Sequence, residues 1–202
     1  MISHIHDVAD KIVKAIYPHD ISGKNVLAFA AIKRNIAHII TAEKDEITKG
    51  NTITILALEE KLETSLSVSG IDSPIKMKGT VDRIDRYNGK IRVLDYKTGK
   101  VGKLGITDWN LLATDPERGQ ARQLLLYAKL WNRAHPDEKA NHAGIIALKE
   151  HNKGVRYVGE KISARIIDNK LEEQHMQQAL DVFVEIIKKL FDPKVPFSEP
   201  EA

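Results

Sequence analysis

The chain has 202 residues, 42% hydrophobic and 29% charged, enough for one soluble globular domain with its own core. It contains no cysteine, which excludes disulfides, thiolate catalysis, cysteine-based zinc sites and iron–sulfur ligation by its own residues. A formal charge of +3 is compatible with nucleic acid without pointing to it. With no secretory signal pattern and no apolar run near the ~20 residues of a membrane span, no membrane partner and a cytoplasmic location are expected.

The first fifty residues read as helical. Ile2, Ile5, Val8, Ile12, Val13 and Ile16 recur at helical spacing, and Tyr17-Pro18 closes that segment. Ser22-Gly23 opens a second helix whose buried stripe is expected to be Val26, Leu27, Phe29, Ile32, Ile36, Ile39 and Ile40, ending at Gly50-Asn51. From Thr52 the period changes to two, predicting a strand over 52–58 and a second extended stretch up to Val68. Next comes Asn88-Gly89 between two runs of β-formers, the strongest short-range signal for a hairpin. Further on, the pattern predicts a helix over 116–134, strands over 141–148 and 155–162, and a last helix over 170–191 stopped by Pro193. This order predicts an α/β or α+β domain with helices covering a central sheet.

The hairpin carries the chemistry. A two-residue turn pairs Tyr87 with Lys90, so counting outward sets Asp85 against Arg92, Asp82 against Asp95 and Thr80 against Lys97. Asp82, Asp95 and Lys97 then share one face. Two carboxylates directly opposite repel one another, and Ile91, Val93 and Leu94 make the strand beneath Asp95 look buried. Lys97 supplies one compensating charge; a divalent metal with oxygen ligands fits better. If the carboxylates are crowded without metal, Asp82→Asn should stabilise the metal-free domain. Asp85 opposite Arg92 on the other face supports the register, since a one-residue slip would separate Asp82 from Asp95.

Other features are less specific. Gln123 and Tyr127 share a face of the helix after the hairpin, with Arg118 and Arg122 close by. Lys97, Lys100 and Lys103 lie in a Gly/Lys-rich stretch that fails the phosphate-loop pattern, because Leu104 stands where Ser or Thr is needed. It reads as a flexible basic loop able to touch a phosphate backbone. His4 and His6 are two apart on a helix and do not share a face. Trp109 and Trp131 read as core or interface residues.

Gly79-Thr-Val-Asp82-Arg-Ile-Asp85, then Leu94-Asp95-Tyr96-Lys97-Thr98-Gly99, then Gln123-Leu-Leu-Leu-Tyr127, in that order, resembles the RecB-like branch of the PD-(D/E)XK nuclease superfamily. The likeness is best over residues 56–127 and is greatest to the C-terminal nuclease domain of AddB-type helicase–nuclease subunits. It implies a restriction-endonuclease-like α/β core, a mixed central β-sheet flanked by helices, in one domain over 1–202 with a helical N-terminal part over about 1–50. It also implies Mg²⁺- or Mn²⁺-dependent, exonuclease-like hydrolysis of DNA in double-strand-break repair and recombination, beside a helicase subunit or domain. Asp82, Asp95 and the Tyr96 backbone carbonyl would ligate the metal. Lys97 would orient the attacking water or stabilise the transition state, and Gln123, Tyr127, Lys100 and Arg122 would contact DNA or support the site.

Two departures from that family are visible. Its Gly-x-x-x-His helix element is matched poorly by His6, which lacks the glycine, and His38 is the other candidate for the metal-side histidine. The cysteines of the iron–sulfur staple found in many relatives are missing, which leaves a piece of a longer protein and a lineage without the staple as the two readings. Rival functions are a catalytically silent, DNA-binding or structural nuclease-like module and, less well supported, a P-loop domain.

Overall fold

The computed structural model describes residues 2–17, 22–164 and 167–196. Two helices lead, α1 (Ile2–Ile16) and α2 (Lys24–Thr48), followed by β1 (Ile53–Leu66), β2 (Ile75–Tyr87) and β3 (Lys90–Lys97). After a loop come β4 (Gly105–Ile106), α3 (Leu111–Thr114) and α4 (Gly119–Ala134). The chain continues through β5 (His142–Ala147), β6 (Val155–Tyr157), β7 (Gly159–Lys161), β8 (Ile167–Asp168) and α5 (Glu173–Phe191). Five strands form a mixed sheet in the order β1-β2-β3-β5-β6, antiparallel except for the parallel β3–β5 pair. A parallel neighbour requires a crossover, and α4 makes it. Strands β4, β7 and β8 form a separate small sheet. Among the described residues no helix is long and apolar enough to cross a membrane.

The sheet is covered on both faces. Ala121, Leu124, Leu125, Ala128, Leu130 and Trp131 bury the apolar side of α4 in the core, joined by Met176, Ala179 and Val182 of α5. Trp131 also donates its indole N–H to the Glu138 carbonyl, 2.7 Å away. The other face is met by α2, and here the expected buried stripe is not found. No side chain of α2 is buried; Val26, Leu27 and Ile32 are exposed, while Phe29, Ile36, Ile39 and Ile40 are half-buried. The reason lies in the sheet, which offers α2 the polar groups of Arg83 and Tyr87. Helix α2 answers with Glu43 and Glu46: Arg83 donates to Glu43 at 2.5 Å and the Tyr87 hydroxyl to Glu46 at 2.7 Å.

Several boundaries differ from the sequence-based expectation for identifiable reasons. The two extended stretches before Val68 are one long strand, β1, which absorbs a register shift between Ile55 and Ala57 and a positive φ of 51° at Glu59. The expected strand over 155–162 is split between two sheets, β6 pairing with β5 and β7 with β4. Gly159 lets β8 close on β7, since a Cβ there would lie 2.0 Å from the Asp168 carbonyl oxygen. The stretch after β3 is pinned rather than flexible. Val101 and Leu104 are buried, the Gly102 amide donates to Gln120 at 2.8 Å, and Lys103 is paired with Glu117 at 2.5 Å and Asp115 at 3.5 Å. Pro18 lies outside the described residues.

Candidate active site

The turn Asn88-Gly89 adopts positive φ at both positions, 48° and 78°, the geometry of a type I′ hairpin. It fixes the register as Tyr87↔Lys90, Asp85↔Arg92 and Arg83↔Leu94, and the ladder ends there. Asp82 and Asp95 are therefore the first residues beyond the pairing, not a paired rung, and the same holds for Thr80 and Lys97. Strand β3 instead continues against β5, with Asp95↔Ile145 and Lys97↔Ala147. Where the two strands part, the Asp82 carboxylate takes over the role of backbone: its Oδ2 accepts from the Tyr96 amide at 2.7 Å. In an extended strand the amide and carbonyl of one residue point to the same side. The Tyr96 carbonyl is thus turned toward the side on which Asp82 lies.

Asp95 is the costly group. It caps a run of buried residues, Ile91 to Leu94, and is itself buried. Its Oδ2 accepts no well-formed hydrogen bond within the protein, and Lys97 Nζ is its ion-pair partner at 2.8 Å. Burial pushes the Asp95 carboxyl above its ordinary value; Lys97 opposes the shift and the negative charge of Asp82 adds to it. A buried, under-satisfied carboxylate beside a second carboxylate and a backbone carbonyl is an all-oxygen donor set that suits a hard divalent cation. Among the described residues no third His, Cys, Asp or Glu joins them in a metal-holding cluster.

The remaining expected site residues are placed as follows. Gln123 donates to the Tyr127 hydroxyl at 2.8 Å, and the Tyr127 ring packs on Gly79, the first residue of the Gly-x-x-Asp element. A Cβ at Gly79 would lie 2.5 Å from Tyr127 Cε1, so that glycine is needed for α4 to approach the strand. Gly79→Ala is expected to cost about 1–3 kcal/mol by overpacking, read as a lower Tm. An unchanged Tm would show that the ring moves freely. Arg122 serves the scaffold, donating to the carbonyls of Leu112 at 2.6 Å and Asp115 at 3.1 Å. Lys100 has an exposed side chain, and its carbonyl accepts from Gln120. His6 of α1 faces α2, in a groove with Lys33, Arg34 and His38 that includes neither Asp82 nor Asp95.

Behind the site lies a buried polar cluster, of which sequence spacing exposed only one pair. Arg92 clasps Asp85 through two bonds of 2.7 and 2.8 Å, and Arg83 lies 2.6 Å from the same carboxylate. Arg83 also donates to the Tyr96 hydroxyl at 3.2 Å, and Arg92 to the Tyr157 hydroxyl at 3.1 Å. Burial works against the charge on Arg83, yet Tyr96, Glu43 and Asp85 together raise its pKa. The side chain of Tyr96 thus anchors, from behind, the backbone unit whose amide binds Asp82.

The position of Asp95 sets a pH dependence. The folded chain holds the Asp95 proton more tightly than the unfolded chain does, because the folded pKa is the higher one. The carboxylate therefore costs nothing below the ordinary aspartate value. It becomes steadily more unfavourable as pH rises to the raised folded value, and stays so above it. In chelator-treated protein, Asp95→Asn is expected to gain about 2–4 °C in Tm at neutral pH, the shift that ~1 kcal/mol makes in a chain of this size. The gain should vanish near pH 3. Added Mg²⁺ or Mn²⁺ should raise the Tm of wild type and not of the variant; equal metal responses would remove Asp95 from the ligand set. Asp95 is a better probe than Asp82, whose carboxylate already has the Tyr96 amide as partner.

A mixed sheet flanked by helices, with Asp82, Asp95 and Lys97 gathered where two antiparallel strands part, defines a restriction-endonuclease-like fold with an acid-and-lysine centre. The chain belongs to the PD-(D/E)XK nuclease superfamily, whose sequence model matches residues 4–201. No curated protein matches it by sequence. A solved structure titled "Crystal structure of SSO0001" aligns over 97% of this chain and 86% of that one at 16% identity. The TM-score of that alignment is 0.32.

Proposed function

We propose that this chain is a metal-dependent DNA nuclease domain that hydrolyses phosphodiester bonds. The observation that carries the reading is the pair of contacts at the parting of β2 and β3: Asp82 on the Tyr96 amide, and Asp95 on Lys97. Asp82, Asp95 and the Tyr96 carbonyl would hold Mg²⁺ or Mn²⁺. A divalent ion so bound supplies Lewis acidity and a water of lowered pKa. The chain's own part is to fix the geometry. Asp82 is held by a backbone amide, Asp95 by burial and the Lys97 ion pair. The Lys97 ammonium, held at Asp95, would orient the attacking water and balance charge on the phosphate. Gln123 and Tyr127 support this face of the sheet from α4.

The likeness to the RecB-like and AddB-type domains supports a finer reading: exonuclease-like processing of DNA ends in repair and recombination, alongside a helicase subunit or domain. A second reading, a silent module that binds DNA without cutting it, is favoured by the lack of a third ligating side chain among the described residues. The test is incubation of end-labelled linear single- and double-stranded DNA with Mg²⁺, Mn²⁺ or chelator. Metal-dependent shortening from the ends supports the nuclease and its exonuclease character, and internal cuts support an endonuclease. DNA binding with no cleavage under any metal supports the silent module.

A further inference from the structure

Two adjoining depressions lie along the N-terminal half of α2. One, of about 510 Å³, is lined by Arg34, Asn35, His38 and Lys149, with Ala31 as floor. The other, of about 540 Å³, shares Arg34 and His38 and adds His6, Lys33 and Thr41 with two alanines. No carboxylate lines either of them. Lys33 is paired with Asp10 at 2.8 Å, and Glu150 follows Lys149 in the chain. The cavity on the C-terminal half of the same helix differs, with Glu43, Asp45 and Glu46 in its wall beside Lys49 and Arg92. Helix α2 therefore divides into a basic half and an acidic half.

The basic half lies toward the end of the sheet that carries Asp82, Asp95 and Lys97, on the opposite face, since α2 packs on the side of Arg83 and Tyr87. Glu46 meets Tyr87 at the hairpin end, and Glu43 meets Arg83 one step nearer the site. Continuing the same direction along α2 carries His38 and Arg34 toward the end where β3 delivers Lys97. Lys149 adds a cation from another element, two residues beyond Ala147, the register partner of Lys97. Arg34, His38 and Lys149 are all exposed. Arg34 and Lys149, exposed cations in a depression that no carboxylate lines, suit the phosphates of a strand, whose backbone supplies most of the affinity in nucleic-acid binding, and His38 adds a hydrogen-bonding ring beside them.

We propose that Arg34, His38 and Lys149, extended by His6 and Lys33, form a phosphate-binding track that holds a DNA strand beyond the reacting phosphate. This rests on the nuclease reading for its substrate, but it concerns binding and is testable without turnover. The test is the salt dependence of binding of a fluorescein-labelled 20-nucleotide single strand, followed by anisotropy in the presence of chelator. Wild type is compared with Arg34→Ala/Lys149→Ala and with Lys188→Ala/Lys189→Ala, which removes the same charge from exposed positions on α5. Circular dichroism melts confirm that both variants fold.

Losing two phosphate contacts lowers the slope of log K against log salt by about 1.4 for a single strand. We expect that loss, with an affinity drop of about tenfold or more at low salt, in the α2 variant and not in the α5 variant. Equal slopes in wild type and the α2 variant, equal losses in both variants, or no binding by wild type each overturn the track. Wild type that binds through Arg34 and Lys149 but does not cut DNA with metal keeps the track and overturns the nuclease reading. Cleavage with an unchanged slope does the reverse.

Discussion

Lys97→Ala is expected to lower metal-dependent DNA cleavage by about 10²–10³-fold while leaving DNA binding nearly intact. The estimate is the usual cost of removing one preorganised charge or donor aimed at developing charge. Lys97 is about a quarter exposed and, among the described residues, its ion-pair partner is Asp95, so its removal leaves the core packing untouched. What changes is the balance at Asp95, which loses the cation that opposes its raised pKa. The variant should therefore still respond to Mg²⁺ or Mn²⁺ with a gain in Tm, since the carboxylates and the Tyr96 carbonyl remain. Single-turnover cleavage and a thermal melt, each with and without metal, separate the two effects. Cleavage at the wild-type rate would remove Lys97 from the chemistry; loss of both cleavage and metal response would make it a structural partner of Asp95.

How much of this was legible before the structure differs by element. The hairpin was readable because its information is local: Asn88-Gly89 fixes the turn, the turn fixes the register, and Asp85–Arg92 confirms it. The end of the ladder was not readable, because the parting of β2 from β3 depends on β5 holding the end of β3. That is why Asp82 and Asp95 are neighbours beyond the pairing rather than a paired rung. Helix α2 is legible from its spacing, but its surroundings are not. Its apolar spacing says that a stripe exists, and only the polar sheet face opposite explains why that stripe is not buried. The short elements β4, α3, β7 and β8 carry too few residues for any period to register. Glu43 and Tyr157 could not have been linked to Arg83 and Arg92, since those contacts join elements 40 and 65 residues apart.

Asp85→Asn should be the most destabilising single change among the polar residues, costing about 3–5 kcal/mol because it leaves buried arginines without their counter-charge. Asp85 is fully buried and lies against two guanidinium groups, Arg92 through two bonds and Arg83 at 2.6 Å. A cost of that size corresponds to a Tm lower by roughly 6–20 °C for a domain of this length. Glu43→Gln is the comparison. It touches the same cluster from its rim, where Glu43 keeps about 29% of its side-chain exposure, so water can take over and the loss should be much smaller. The consequence reaches the catalytic centre by a defined route. Arg83 holds the Tyr96 hydroxyl, Tyr96 presents the amide that positions Asp82, and disturbing Arg83 loosens that anchor. Asp85→Asn assayed well below its Tm should therefore show weaker metal stabilisation than wild type, although Asp85 faces away from the site. Melts with a metal titration decide the point: a large drop in Tm with an unchanged metal midpoint would mean that the cluster supports the fold alone.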